Sequence, residues 1–588
     1  RISTYGIQRM TVAYEEDAEM IRLPRGVEAA LVELLDNIGV QADIQDKRIS
    51  GRPLDVEFKG QLTDHQEQAF QAMVEQPTGV LAATTGFGKT VIAAKLIAAI
   101  RRPTLILVHT KELAAQWRER LDQFLTINET VESKRKVKSV IGQIGGGKKN
   151  PHGIIDIALI QSMVNRDKSV KDHIYGYGLI VVDECHHISA VNFSRVLSEA
   201  NARHVYGLTA TPIRKDGHHP IVFMQCGVIR YRVYAKEEAK KRDFTHSIIP
   251  RFTSTRLPLI KPKGDWHITE VYETVVQNQE RNQLIVHDVV KVVGEGSRAL
   301  VLTERTQHLK ILKDMLQERR VKVLVLYGAM KTKERKQVIE QIKTMEPSES
   351  FVLLATGRLI GEGFDEASLD TLFLTFPIAW RGTIAQYAGR LHRSYEGKTE
   401  VKVYDYVDVH IPVLDRMYHK RLKAYHSVGY SLQTLEGEQG SPSSMFEGQD
   451  YLEQLKADIK NSQQHILISS PTLNQGKVNE LQETLLNQSR AGCRVTLCTR
   501  STNNKWKDPS NQRTHQVNLE ELTEKGFYTL QIPSLHYRFI LLDENILLYG
   551  SSDPLGKDFE KQTFIRIESP QLAQEFMTAL DEIQDKTQ

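Results

Sequence analysis

Cysteine is scarce: four in 588 residues, Cys185, Cys226, Cys493 and Cys498, and no two form a Cys-x-x-Cys pair. That excludes a disulfide framework and suits a reducing compartment. His186-His187 and His218-His219 lie near Cys185 and Cys226, but their spacing matches no standard zinc site. No apolar run reaches membrane-spanning length and no signal peptide is visible. The chain is therefore expected in the cytoplasm, with no membrane partner. An excess of one charge is also missing. Net charge is only +4, so total charge announces no nucleic-acid partner. Hydrophobic residues at 40% and charged ones at 26% are ordinary for globular protein. The length implies three or four domains. The first residue is Arg rather than Met, so we expect a fragment or processed product, with room for an upstream domain or operon partners.

Two runs carry chemistry. Leu81-Ala-Ala-Thr-Thr-Gly-Phe-Gly-Lys-Thr90 has an apolar lead-in, a glycine turn, then Lys-Thr opening a helix. Such a loop aims backbone N–H groups and a helix N-terminus at phosphate. Thr85, Gly86, Gly88, Lys89 and Thr90 are the expected nucleotide contacts. Lys89 would reach the β/γ-phosphates and Thr90 would hold Mg²⁺. The strict pattern has Gly where this chain has Ala83; Gly86-Phe-Gly-Lys-Thr90 is intact. The second run, Val181-Val-Asp-Glu-Cys-His186, ends an apolar strand in paired carboxylates. Asp183 would hold the Mg²⁺ shell, and Glu184 would orient and deprotonate the attacking water. His186 joins them as a candidate catalytic residue. ATP and Mg²⁺ are the expected cofactors. A third cluster is basic: Ser133-Lys-Arg-Lys-Val-Lys138 and Lys148-Lys149 bracket Gly145-Gly-Gly147. Lys charge and Gly N–H groups suit a phosphate backbone, so Gly146 and Lys148 are candidate nucleic-acid contacts; a solvated basic loop is the alternative.

The expected fold class is α/β. Residues 1–57 read as a small accessory α+β unit. It would hold a helix from Gly26 to Gly39, with Val27, Leu31, Leu34 and Leu35 on one face, and strand-like pieces at Gln41-Ala-Asp-Ile44 and Leu54-Asp-Val-Glu-Phe58. From 58 to 245 apolar strands alternate with amphipathic helices, among them Thr104-Leu-Ile-Leu-Val108, Ile155–Ile160 and Leu179-Ile-Val-Val182. That is the pattern of a parallel sheet with ligands at its strand ends. A second set runs from 246 to 435, with strands at Ala299–Thr303, Val323–Leu326, Phe351–Ala355, Leu372–Thr375 and Val401–Tyr404. Residues 436–449 are polar, rich in Gly and Ser, and read as a linker. A final domain is expected over 450–588.

Asp-Glu-x-His with these companions resembles superfamily 2 helicases. Leu62-Thr-Asp-His-Gln66 resembles the Q motif, which implies that Gln66 reads adenine through its amide. Leu105–Leu113 resembles motif Ia, with His109, Thr110 and Lys111 as nucleic-acid contacts, and Tyr206–Pro212 carries the Thr-Ala-Thr of motif III. Ala355–Asp365 resembles motif V, giving Thr356, Gly363 and Asp365, and Gln386–Arg393 matches motif VI, with Arg390 and Arg393 as arginine fingers. Gln161, Thr303 and Arg305 complete the expected nucleic-acid contacts. The resemblance implies two RecA-like lobes clamping ATP. Thr209 and Thr211 would couple that site to a nucleic-acid surface carried by motifs Ia and V.

A narrower resemblance covers residues 51–240, to the helicase module of TOTE conflict-system proteins, which are primase–helicase–nuclease defence polypeptides. It lies in Gly79–Thr90, Ile144–Lys148, Asp183–His187 and Arg214–Ile221, and extends to Gln386–Arg393. The motor also resembles XPB-type repair translocases. These families imply DNA as partner, single-stranded or forked, and either duplex translocation or 3′→5′ unwinding. No primase motif is visible.

The tail resembles the phospholipase D family. His536, Arg538, Asp543, Gly550 and Ser551 keep its spacing, with Arg538 where the family has Lys. The family chemistry implies nucleophilic attack by His536 on a phosphodiester. One motif per chain implies a homodimer, with His536 from each copy. Arg538 can bind phosphate in bidentate fashion, but its fork leaves cleavage in doubt. The reading is an ATP-dependent helicase or translocase with a phospholipase-D-like nuclease domain, in prokaryotic defence. An XPB-like repair helicase and a non-cleaving remodeller are the alternatives.

Overall fold

The computed structural model describes residues 14–131, 139–186, 191–210, 219–240, 244–258, 266–357, 366–378, 391, 395, 397–433, 444–503, 506, 509–533, 535–550, 553–556 and 563–585. They fall into two compact units, one ending at Ala235 and one beginning at Lys236.

The first unit is built on an eight-stranded sheet. Its order is Ile229–Arg232, Thr78–Ala82, His204–Thr209, Leu179–Asp183, Thr104–Val108, Ile155–Leu159, Ile141–Gly145 and Lys148–Asn150. All neighbours are parallel except the last pair, a hairpin. Thr104–Val108, Ile155–Leu159 and Leu179–Asp183 are buried at every position. Strands covered on both faces are mostly apolar, which is why these read as hydrophobic runs; Asp156, the exception inside its strand, is held by the Tyr177 hydroxyl and the N–H groups of His152 and Gly153. Because the strands are parallel, the loops after 82, 108, 145 and 183 emerge at one edge of the sheet, where open α/β sheets bind ligands.

The N-terminal segment departs from expectation. Residues 41–44 form no strand, since an extended piece needs a partner ladder and this one has none. Val56–Phe58 does pair, antiparallel with Leu125–Ile127. Leu54 and Val56 pack in the core of the first sheet. The helix Glu28–Asn37 forms, but it buries no residue, and Leu31 and Leu34 are 37% and 55% exposed. The anchor is instead Arg25, whose guanidinium donates to the carbonyls of Leu197 (3.0 Å), Ala202 (3.3 Å) and Ala200.

The second unit carries two sheets. One has seven parallel strands in the order Val323–Leu326, Phe351–Thr356, Arg298–Thr303, Thr371–Leu374, Glu400–Val407, Thr245–Phe252 and Ser431–Leu432. The other is mixed. Its order is Ser444–Glu447, Thr563–Glu568, Ile546–Gly550, Phe539–Leu542, His465–Ser469, Arg494–Arg500 and Tyr528–Ile532, with only the last three parallel. Its first strand falls in the stretch expected as linker. Polar Gly/Ser composition hid Met445 and Phe446, which lie beside Ile565 and Phe564.

The parallel sheet of this unit is pinned by two buried ion pairs. Arg421 donates through Nε to Asp405 Oδ2 (2.7 Å) and through Nη2 to Oδ1 (2.9 Å), while Nη1 reaches the Ile378 carbonyl (2.8 Å). The Tyr425 hydroxyl completes the set on Asp405 at 2.9 Å. Arg281 holds Asp408 in the same way, Nε to Oδ1 at 2.9 Å, and Thr253 donates to that oxygen at 2.6 Å. Removing one member of such a pair strands a buried charge. Arg421→Leu should therefore lower unfolding free energy by about 3–5 kcal/mol, whereas Arg421→Leu with Asp405→Leu should recover most of it. Urea denaturation of both variants checks this, and equal losses in the two would refute it.

Candidate functional site: a phosphate loop, an acidic turn and a basic groove

The loop Ala83–Gly88 links the strand Thr78–Ala82 to the helix Lys89–Ile100. Gly86 and Gly88 have φ of +89° and +94°, a left-handed conformation that glycine adopts without strain. Gly88 is also the helix N-cap and offers no side-chain cap, so no side chain stands over the positive end of the helix. Lys89 Nζ donates to the carbonyls of Ala83 (2.9 Å) and Thr84 (3.3 Å), curling its ammonium into the loop. The Thr84 hydroxyl is buried with no hydrogen-bond partner among the described residues. Thr85 and Thr90 lie half-buried in the same loop and helix start. An ammonium, a helix N-terminus and the buried Thr84 hydroxyl around one loop suit a polyphosphate.

Gln66 has a different task from the expected one. Its Oε1 accepts from Thr63 N–H (3.0 Å) in a capping box, and its Nε2 donates to the Phe87 carbonyl (2.8 Å). A Cβ on Gly88 would lie 2.5 Å from that Nε2. The amide is engaged in holding the loop, so the structure does not present its oxygen to a base.

Asp183 ends its strand and is 8% exposed. Its Oδ1 accepts from the Glu184 N–H (2.9 Å) and its Oδ2 from the Trp117 indole Nε1 (2.8 Å). Burial and the neighbouring Glu184 push its carboxyl above the usual range, while Trp117 and Lys89 oppose that. Glu184 sits at φ +47°, which costs a residue with a Cβ on the order of 1 kcal/mol. The turn brings its carboxylate beside His186, Nδ1 to Oε2 at 3.2 Å. The same Nδ1 lies 3.1 Å from the Thr209 hydroxyl, so His186 ties the acidic turn to the neighbouring strand. Gly207 makes that approach feasible, since a Cβ there would stand 2.9 Å from Cys185 Sγ. No cluster of three His, Cys, Asp or Glu side chains among the described residues is placed to hold a metal. One carboxylate and one hydroxyl, Asp183 and Thr90, fit a hard cation that takes its other oxygens from water and phosphate.

A groove of about 460 Å³ opens on the same lobe, lined by Lys111, Ala115, Arg118, Glu119, Asp122, Gln143, Gly146 and Lys148. It brings together Lys111, Gly146 and Lys148, which lie far apart in sequence. Gly145, Gly146 and Gly147 all have positive φ (98°, 67° and 89°), so the hairpin has a backbone that few other residues tolerate. Thr110 caps the helix Lys111–Phe124 by accepting from Leu113 N–H, and Gln161 donates to the His109 carbonyl at 3.1 Å. Residues 132–138 lie outside the described residues, as do Gly363, Asp365, Arg390 and Arg393. In the second unit, Thr303 is not placed for a ligand. It is 1% exposed, and its hydroxyl meets His308 Nδ1 at 3.0 Å. Arg305 is exposed, with its guanidinium over the rings of Tyr272 and Phe376. Thr356, at the end of its strand, is half-buried.

In the C-terminal sheet, His536 and Arg538 precede the strand Phe539–Leu542. Arg538 Nε donates to Asp553 at 2.5 Å, and its Nη1 lies 3.8 Å from Asp415, on the helix Pro412–Ser427 of the parallel-sheet domain. The Tyr549 hydroxyl also donates to Asp415, and His419 Nε2 lies 3.3 Å from it. Burial alone would raise the Asp415 carboxyl, but His419, Tyr549 and Arg538 hold it below the usual range. Tyr537 and Tyr549 are 4% and 1% exposed, with the Tyr537 hydroxyl 2.7 Å from His410 Nδ1. The face expected to meet a second copy is thus partly taken by this chain's own helix. Asp543 is a correction. It lies five residues of strand beyond Arg538, about 17 Å, and accepts the backbone N–H groups of Gln463, Gln464 and His465. It shapes a turn instead of joining His536. Gly550 is explained by packing, since a Cβ there would meet the Phe564 ring at 1.9 Å. Ser551 lies outside the described residues. Trp117, Arg118, Asp415 and Asp553 were not singled out from sequence, because what marks them is a long-range partner.

Comparison with known proteins agrees with this division. Residues 59–214 match the family described as type III restriction enzyme, res subunit. Residues 282–395 match the helicase conserved C-terminal domain, and 455–584 the PLD-like domain of the cardiolipin synthase family. "Putative helicase 161L" of Invertebrate iridescent virus 6 is 28% identical over 391 residues, covering 64% of this chain and 83% of that protein. "Probable helicase D10" of Escherichia phage T5 is 24% identical over 412 residues, 69% and 85% of the two chains. "DNA 3'-5' translocase XPB2" of Sulfurisphaera tokodaii is 30% identical over 202 residues, 34% of this chain and 42% of that one. The chain is a superfamily 2 helicase, a nucleic-acid-dependent ATPase, with a phospholipase-D-like domain at its C-terminal end.

Proposed function

We propose that this chain is an ATP- and Mg²⁺-dependent motor that tracks along DNA. The observation that carries the reading is that the phosphate loop, the acidic turn, and Lys111 and Gly146, which line part of the groove, all follow parallel strands of one sheet at the same edge. Lys89 and the loop N–H groups would take the β/γ-phosphates, Asp183 and Thr90 the cation, and Glu184 would deprotonate water. The cation would polarise the γ-phosphate when bound. Likeness to a protein called a DNA translocase supports DNA over RNA. The TOTE-like motifs and the phage and virus relatives support a setting of phage or mobile-element conflict.

A second reading concerns the tail. Arg538 is the cation expected to hold a phosphodiester, yet it faces two carboxylates, which leaves that spot net negative. We propose a nuclease site kept shut while Asp415 is docked, with a phosphate-gripping platform as the alternative.

Glu184→Gln should keep ATP binding but lower DNA-stimulated turnover by at least about 10²-fold, because an amide is no base. Lys89→Ala should lose binding as well. Both should lose any protection a host gains against phage. Full turnover in Glu184→Gln would defeat the assignment. The groove should act through charge. Lys148→Ala with Lys149→Ala should reduce the slope of log affinity against log salt by about one to two. An unchanged slope in a fluorescence-anisotropy titration would move the DNA elsewhere. For the tail, Asp415→Asn in the full chain should raise cleavage of single-stranded DNA in EDTA, and His536→Ala should abolish it. Tighter binding without cleavage would establish the platform, and no change in either would remove the docking idea.

A further inference from the structure

The helix Lys111–Phe124 has two working sides. Ala114, Trp117 and Leu121 face the core, while Lys111, Ala115, Arg118, Glu119 and Asp122 line the basic groove. Trp117 and Arg118 are consecutive, so their side chains leave the helix in different directions. Trp117 is 1% exposed and places its indole N–H on Asp183 Oδ2 at 2.8 Å. Arg118 donates to the Ile141 carbonyl (2.8 Å), the Ser139 hydroxyl (3.2 Å) and the Gly142 carbonyl (3.3 Å). Those acceptors lie on or just before the strand Ile141–Gly145, which leads into the glycine hairpin. The helix is thus bonded at one point to the groove wall and, one residue earlier, to the carboxylate of the acidic turn.

We propose that Trp117 is the positioning residue of Asp183, and that through it the helix Lys111–Phe124 carries the state of the groove to the nucleotide site. The inference rests on the reading of this groove as the nucleic-acid site. Among the described residues, Asp183 accepts from two donors. The Glu184 N–H belongs to the same turn and moves with it. The Trp117 N–H comes from an element that a bound phosphate backbone would press or draw. A hydrogen bond weakens steeply as its angle opens, so a small shift of the helix changes how the second oxygen is held. Indole suits this role because it is a donor only, so it cannot turn round and accept. The carboxylate then keeps its remaining lone pairs toward the loop, where Thr90 and Lys89 stand.

The test separates hydrogen bonding from packing. Trp117→Phe keeps a buried ring and loses the N–H. Leu121→Ala, one turn on, loses packing and no bond. In the full chain, Trp117→Phe should lower DNA-stimulated kcat by about tenfold or more, the loss expected for one hydrogen bond to a charged group. It should raise the Mg²⁺ concentration for half-saturation, leave the ATP KM within about twofold, and leave oligonucleotide affinity without nucleotide unchanged. The change in oligonucleotide affinity on adding Mg²⁺ and ADP, read by anisotropy, should shrink toward none, because coupling between two sites is reciprocal. Trp117→His, which keeps a ring N–H, should regain part of the coupling. Leu121→Ala should lower the thermal midpoint and keep the coupling. Wild-type coupling in Trp117→Phe, or equal loss in Leu121→Ala, overturns the proposal. If the Lys148→Ala and Lys149→Ala variant binds DNA normally, the groove reading falls, and the Mg²⁺ requirement of Trp117→Phe still decides whether Trp117 sets Asp183.

Discussion

A carboxylate taken out of water must be compensated, and how it is compensated decides what it can still do. Asp183 and Asp415 are both buried, with opposite outcomes. The direct donors to Asp183 are neutral, an indole and a peptide N–H, and a second carboxylate sits next to it; its carboxyl is pushed up. Asp415 has His419, Tyr549 and Arg538 around it, and its carboxyl is held down. The first is short of positive charge and open to a cation. The second is satisfied and acts as a joint. Asp405 and Asp408 follow the second pattern with their own arginines, and Asp543 follows it with three backbone amides.

Parallel topology turns this local chemistry into a site. All strands of the first sheet but Lys148–Asn150 run one way, so loops from distant sequence meet at one edge without any long excursion. The same edge carries left-handed backbone at Glu184, where a Cβ makes it costly, and at the glycines of the loop and hairpin, where it is free of strain.

What the sequence made legible follows from range. A five-residue apolar run such as Thr104–Val108 is its own signal, because full burial demands it. The α/β class and the parallel sheets rest on such runs. Ser444–Glu447 escaped notice because a strand at a polar edge is defined by its partner, Thr563–Glu568, and not by its own composition. The stretch 41–44 failed for the converse reason. Within the site, the loop and acidic turn were visible because their chemistry is local. The Trp117–Asp183 bond spans 66 positions and was not. Gln66 carries a second task that its motif did not disclose. Its motif implies a ligand contact, and the structure adds an internal brace between Thr63 and Phe87. Thr303, expected to meet nucleic acid, is buried against His308, and Asp543, expected beside His536, holds a backbone turn.

The arginine at 538 has a consequence for how this domain can change over time. Its planar fork reaches Asp553 with one nitrogen and Asp415 with another, and a lysine ammonium has no comparable reach. Lysine placed at 538 first would keep one of the two contacts and leave Asp415 to His419 and Tyr549 alone, or Asp553 to Thr472. Losing the acid on the helix first leaves the arginine still paired with Asp553. The two single substitutions are therefore not interchangeable, and only the order Asp415 first, Arg538 second leaves the residue at 538 facing a single carboxylate at each step.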